Sequence, residues 1–301
     1  MNTVIISVVL INYNCEKWLS ESINSVLKQD WPDFELILID DCSTDGSWAV
    51  MESFARRDSR VRLAKTPVNS GISIARNLGM DMATGAFIAF LDSDDVFLPD
   101  TLSAAHADFL RLSKDVPDLA MVMSDAWIVS EKGKRFGRYM PKSYWDRDIV
   151  RDAPNWTLPS TWFLKRESNA RFFSGYRFGE ASFFVERLRL EHAVAFVGRP
   201  SVQYRCRIHS ATNEKAAEEL RAIAATRLTV LGNRFDRPVL PTEVPPPKRR
   251  DVLAWKHGRT AKSAWVNGAA GTAFLHACVA AAADLPRFFR KCRRALLERF
   301  R

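Results

Sequence analysis

What most narrows the fold is an alternation that runs from Val4 to Leu112. Short β-branched or apolar runs take turns with segments of helical period. Val4–Ile11, Phe34–Ile39, Val61–Ala64 and Phe87–Leu91 read as strands, and the first carries no charge, as burial on both faces of a sheet requires. Glu16–Leu27, Ser47–Arg57, Ile72–Met82 and Leu102–Leu112 have helical spacing. Strand–helix–strand units close right-handed and build an α/β fold around a mostly parallel sheet. In such sheets ligands bind beyond the carboxyl ends of the strands. Two of these strands run directly into acids, Asp40-Asp41 and Asp92-Ser93-Asp94-Asp95. Both clusters therefore fall on one sheet edge, which is a site expectation from pattern alone.

The rest of the chain is less regular. Leu119–Met123 and Trp127–Val129 read as strands, with Ser182–Leu190 and Ala216–Leu231 as helices. Pro238–Pro247 holds five prolines in ten residues, the composition of a linker or strap. The expected division is a main domain over 1–237, a Pro-rich linker over 238–249, and a basic helical tail over 250–301. The tail helices fall near Arg250–Val266, Thr272–Ala283 and Arg287–Phe300.

Charge separates tail from domain. The formal net charge is +9, but thirteen of the 44 Lys and Arg and only three of the 35 Asp and Glu lie from Lys248 onward. That leaves 31 basic and 32 acidic residues elsewhere. A nucleic-acid groove in the main domain would need its own cationic excess, so no nucleic-acid partner is expected. The tail alternates Phe288-Phe289, Leu296-Leu297 and Phe300 with arginines, a pattern suited to lying on an anionic membrane or docking on the domain. Trp265–Leu285 contains Asn267, glycines, His276 and Asp284, which argues against a membrane span. Met1–Thr3 carries no basic residue and the following apolar run is short, so no signal peptide is expected and a cytoplasmic location is. The five cysteines, spread over Cys15, Cys42, Cys206, Cys278 and Cys292, lack metal-site spacing and suit reduced thiols.

The strand-exit acids suggest chemistry. Carboxylates two apart, as in Asp92 and Asp94, can turn toward one hard divalent cation, Mg²⁺ or Mn²⁺, whose other ligands come from substrate oxygens. Taken alone such a string more often marks a solvated acidic turn that caps the next helix. The neighbouring sequence carries more. Ser7-Val8-Val9-Leu10-Ile11-Asn12-Tyr13-Asn14, Glu35 through Ser47, Asn69 through Gly79 and Ala83 through Asp95 follow one another in order. Together they resemble the core signature of family 2 glycosyltransferases over roughly the first hundred residues.

That resemblance implies a GT-A fold, with nucleotide-sugar binding over 1–100 and an acceptor side over 101–237. It implies an inverting, metal-dependent transfer of a sugar from a nucleotide donor, UDP by preference, to a hydroxyl of a surface glycan or a lipid-linked precursor. By the same resemblance Tyr13 stacks on the pyrimidine, Ile11 lines the base pocket and Asp41 accepts the uracil imide N–H. Arg76 meets the diphosphate, a task suited to a guanidinium fork. Asp92 and Ser93 contact the donor, Asp92 and Asp94 hold the metal, and His209, after Tyr204-Arg205, reaches the diphosphate. The chain departs from the pattern at Ile11, where a proline is usual, and at Cys42, where a glycine is usual and a side chain resists positive φ.

The catalytic base is expected in an acidic pair that follows a Gly-aromatic segment. Here Ser174-Gly175-Tyr176-Arg177-Phe178-Gly179-Glu180-Ala181 occupies that place, with one acid, Glu180, and alanine second. Glu180 is the candidate base; the alternative is a helix-start carboxylate favoured by the dipole. Trp156 and Trp162 suit either sugar stacking or the core. Two other functions remain open on sequence. Ala181 admits a catalytically impaired nucleotide-sugar-binding scaffold. A nucleotidyltransferase would need a glycine-rich loop after the first strand, and Asn12–Glu16 has no glycine.

Overall fold

A computed structural model describes residues 5–154, 157–176 and 179–207 of the 301-residue chain. The linker, the tail, His209, Trp156, Cys278 and Cys292 lie outside the described residues. Two compact units are present, one of residues 1–127 and 138–204, the other of 128–137 and 205–301. The site lies wholly within the first. In the second, Arg205 donates to the carbonyl of Glu131 at 2.9 Å, and the Cys206 amide donates to Val129 O at 2.9 Å.

The alternation read from the sequence is the alternation built. Strands β1 (Ile6–Asn12), β2 (Phe34–Asp40), β3 (Val61–Lys65) and β4 (Phe87–Asp92) are linked by helices α1 (Glu16–Leu27), α2 (Ser47–Ala55) and α3 (Ile72–Met82). The four strands pair in parallel in the order β3-β2-β1-β4. β1 is buried along its whole length, which explains its unbroken apolar run. The short β5 (Val96–Phe97) and helix α4 (Thr101–Ser113) follow, then β6 (Leu119–Val129), β7 (Arg135–Arg138), β8 (Asp148–Val150), β9 (Trp162–Lys165), helix α5 (Glu180–Leu188) and β10 (Ala193–Arg205). β9 continues the sheet by pairing antiparallel to both β4 and β6, and β10 pairs antiparallel to β5 and β8. This is a mixed α/β architecture around a parallel block, as the sequence pattern predicts.

Differences lie in the middle of the chain. The sequence suggests two strands broken at Ser124-Asp125-Ala126, whereas β6 runs through without interruption. Its polar interior is tolerated because each group is paired, as buried polar groups must be. The Ser124 hydroxyl meets that of Ser201 at 2.5 Å, and Arg138 Nε donates to Asp125 Oδ2 at 2.7 Å. β10, the longest strand described, has no counterpart in the sequence reading.

Two apolar cores flank the sheet. One joins alternate β1 residues Ile6, Val8 and Leu10 to α1 and α4; the other joins Val9 and Ile11 to α3, α5 and β9. α3 comes close to β1 at Gly79, where an added Cβ would lie 2.3 Å from Val9 Cγ1. Val9 is β-branched and buried, so it has little room to yield. Gly79→Ala is therefore expected to destabilise the fold by about 1–3 kcal/mol in a denaturant titration. Unchanged stability would show that α3 can back away from β1 freely.

Candidate active site

The parallel strands deliver the site residues to one edge. β1 ends at Asn12, β2 at Asp40 and β4 at Asp92, with Asn12 opposite Asp40 and Ile11 opposite Asp92 in register. Polar side chains then tie the loops beyond these ends together. Asn12 Nδ2 donates to Asp40 Oδ1 (3.1 Å) and Ser43 Oγ (3.0 Å), and the Thr44 amide donates to Asn14 Oδ1 (2.7 Å). Tyr13 stands between these anchors with its side chain exposed.

Asp41 is buried and holds the loop that leads into α3. Its Oδ1 accepts from the Thr66 hydroxyl and the Ser70 amide, and its Oδ2 from the Gly71 amide, each at 2.8 Å. A carboxylate oxygen has two lone pairs, so Oδ2 keeps capacity for one further donor. Cys42 follows at φ 63°. The loop thus adopts the left-handed conformation that glycine would favour, and the cysteine bears it.

At the β4 exit, Asp92–Asp95 is fastened from two sides. Ser160 Oγ accepts the Asp92 amide (3.1 Å) and donates to Asp95 Oδ2 (2.7 Å). Ser22 Oγ of α1 lies 2.8 Å from Ser93 O and 2.6 Å from Asp95 O. Ser93 and Asp95 are buried, while Asp92 and Asp94 are partly open. Of the Asp-Ser-Asp string, then, the two carboxylates are reachable and Ser93 is tied to α1 through its backbone.

Arg76 joins the β4 exit to the start of α5. Its side chain is 1% exposed; Nη2 donates to Asp92 Oδ1 at 2.9 Å and Nη1 to Glu180 Oε1 at 2.8 Å. The Phe172 ring lies 5.1 Å from the guanidinium carbon. Burial works against the charge, but Asp92 and then Glu180 outweigh it and push the Arg76 pKa above its ordinary value. Glu180 is the first residue of α5, preceded by Gly179 at φ 71°, and is itself mostly buried. Among the described residues its Oε2 receives no hydrogen bond. Ala181 packs against the second core and supplies no carboxylate.

Three residues named from the sequence have definite surroundings here. Arg76, which the family resemblance puts at the diphosphate, here has its two terminal nitrogens on the carboxylates of Glu180 and Asp92. Ile11 is 7% exposed and packs with Val9, Ile37 and Ile39 in the core beneath the strand exits. Trp162 is 2% exposed and stacks with Phe172 and Phe184, which excludes it as a sugar platform. His209 lies outside the described residues. Among those residues no three His, Cys, Asp or Glu side chains converge as a ready-made metal site, and no helix is long and apolar enough to cross a membrane. Sequence reasoning missed Ser160 and Ser22, whose hydroxyls shape the β4 exit from distant segments.

Residues 7–155 match the family model described as glycosyl transferase family 2. This is a family 2 glycosyltransferase domain. An uncharacterized glycosyltransferase of Haemophilus influenzae is 45% identical over 102 residues, 34% of this chain and 41% of the relative. The Escherichia coli protein named UDP-Glc:alpha-D-GlcNAc-diphosphoundecaprenol beta-1,3-glucosyltransferase WfgD is 39% identical over 111 residues, 37% of this chain and 43% of the relative. The chain thus spans about two fifths of the length of these two relatives. The crystal structure of Staphylococcus aureus TarS residues 1–349 with UDP-GlcNAc superposes with a TM-score of 0.60 at 21% identity, covering 94% of this chain and 89% of that one. The shared fold is GT-A. In this glycosyltransferase domain, Cys42→Gly is expected to relieve the left-handed backbone and raise stability by about 1 kcal/mol. A lower denaturation midpoint than wild type would contradict that.

Proposed function

We propose that the chain is an inverting glycosyltransferase that moves a sugar from a UDP-type donor to a hydroxyl of a cell-envelope glycan or its lipid-linked precursor. The observation that carries this reading is the meeting of Asp92, at a donor-side strand exit, and Glu180, at the start of α5, on one buried guanidinium. Transfer needs an anion-handling edge and a base side by side, and Arg76, bonded to Glu180 across 104 residues of chain, brings them together.

In this reading the exposed Tyr13 ring stacks on the pyrimidine, and the remaining capacity of Asp41 Oδ2 accepts the uracil imide N–H. Cytosine presents an acceptor at that ring position and would be disfavoured. A divalent cation fits the residues present only together with the donor: Asp92 and Asp94 offer hard oxygen ligands, and the diphosphate completes the set. Such an ion, Mn²⁺ or Mg²⁺, supplies charge stabilisation for the departing diphosphate.

Glu180 takes the proton of the acceptor hydroxyl. The hydroxyl oxygen forms its bond to the anomeric carbon opposite the diphosphate, the bond from that carbon to the diphosphate oxygen breaks, and UDP leaves with the electron pair. Arg76 holds Glu180 in place. The names of the relatives support the donor and acceptor classes: WfgD is named for UDP-glucose and a diphosphoundecaprenol-linked acceptor, and TarS was crystallised with UDP-GlcNAc. His209 is assigned to the diphosphate and the basic tail to the inner face of the cell membrane, both from sequence.

The test is transfer from a panel of UDP- and GDP-sugars, with and without Mn²⁺, by wild type and Glu180→Gln. UDP-sugar turnover that is lost on chelation is expected, with kcat reduced about a hundredfold to ten-thousandfold in the variant. Turnover that survives chelation removes the metal role, and an unchanged Glu180→Gln moves the base elsewhere. A wild type that binds UDP yet transfers nothing would instead be a scaffold, the reading that Ala181 favours.

A further inference from the structure

We infer that Ser73 and Asn77 are positioning residues that set where Glu180 stands, so that the donor-side helix α3 aligns the acceptor-side base. The inference rests on Glu180 being the base, as proposed above. Among the described residues neither side chain hydrogen-bonds to Asp41, Asp92, Asp94 or Glu180. Both instead grip the backbone of the segment that leads into α5.

Ser73, Arg76 and Asn77 stand at i, i+3 and i+4, and so share one face of α3. Each reaches the same stretch of chain, about a hundred residues further on. The Ser73 hydroxyl donates to Tyr176 O at 2.8 Å. Asn77 Nδ2 donates to Phe172 O at 2.8 Å, and Asn77 Oδ1 accepts the Phe172 amide at 2.9 Å. The side-chain amide thus clasps one residue's backbone from both ends, as a neighbouring strand would. Arg76 closes the row on Glu180.

The clasp carries through to the base by packing. Phe172 is 2% exposed, and its ring stacks on Phe184 at 4.4 Å and lies parallel to Trp162 at 6.1 Å. Phe184 belongs to α5, one turn beyond Glu180. The Phe172 ring also lies beneath the Arg76 guanidinium. Fixing Phe172 therefore fixes both the helix that bears Glu180 and the cation that holds its carboxylate. At the other end of the segment, Tyr176 is fully buried against Phe173 and Phe183, and Phe183 is also in α5. Ser73 anchors that second contact. A purely structural role would predict lost stability alone. Positioning predicts lost turnover with donor binding kept, because the hydrogen bonds that hold Asp41 and the loops around Tyr13 involve neither Ser73 nor Asn77.

The experiment uses the full chain with Asn77→Ala and Ser73→Ala. Asn77 is half-buried and Ser73→Ala removes one oxygen, so both variants retain the core. Sugar transfer and UDP affinity by calorimetry are measured on each at a temperature where both are folded. Asn77→Ala is expected to lower kcat about a hundredfold, the scale of a reacting group misplaced by an ångström. Ser73→Ala is expected to lower it about tenfold, with UDP Kd within about twofold of wild type in both. If kcat stays within about twofold of wild type, or UDP affinity falls in step with kcat, the positioning role is overturned. A wild type that transfers no sugar overturns the proposed function as well, so the two failures are told apart by the wild-type lane.

Discussion

A single buried cation holds this site together. Arg76 is nearly sealed from solvent, and burying an unpaired guanidinium would be prohibitive. It is stable there because Asp92 and Glu180 each give it a carboxylate oxygen at hydrogen-bond distance. The dependence runs both ways. Glu180 is itself mostly buried, and without Arg76 its charge would be left uncompensated. Such an arrangement adds little net stability compared with a well-packed apolar alternative. Its effect is geometric: it forces a strand exit and a helix start that are remote in sequence to occupy fixed places.

The parallel sheet makes that meeting possible. Register sets Asn12 beside Asp40 and Ile11 beside Asp92, so the three exits are level. α3 lies on β1 at the Gly79 contact, which brings Arg76 to the β4 end. Asp41 then fixes the start of the same helix by binding the Ser70 and Gly71 amides. A residue expected to read a base thus also shapes the loop before α3. Cys42 fits this picture, since the β2 exit keeps a left-handed turn although no glycine stands there.

Much of this was legible in the sequence, and the part that was not has a common cause. β1 to β4 and α1 to α3 follow from local periodicity, and the acids at the strand ends follow from chain order. The bounds of α1 and α3 coincide with those read from spacing. β10 and the unbroken β6 were hidden because their polar residues are satisfied by partners distant in sequence, such as Ser201 for Ser124 and Arg138 for Asp125. The carboxylate partners of Arg76 were hidden for the same reason. Its neighbours in sequence do not reveal that Glu180 and Asp92 would claim both of its terminal nitrogens. The spacing of Ser73, Arg76 and Asn77 on one helix face was a readable signal for a shared partner, but not for which segment that partner would be.

Arg76 and Glu180 act as a unit, and a double-mutant cycle tests this most directly. Unfolding free energies would be compared for wild type, Arg76→Met, Glu180→Gln and the double variant. Arg76→Met alone should cost about 3–5 kcal/mol, because it strands the buried Glu180 carboxylate. Adding Glu180→Gln should restore part of that loss, with a coupling of about 1–3 kcal/mol. Additivity within about 0.5 kcal/mol would contradict the claim that this pair unites the two halves of the site.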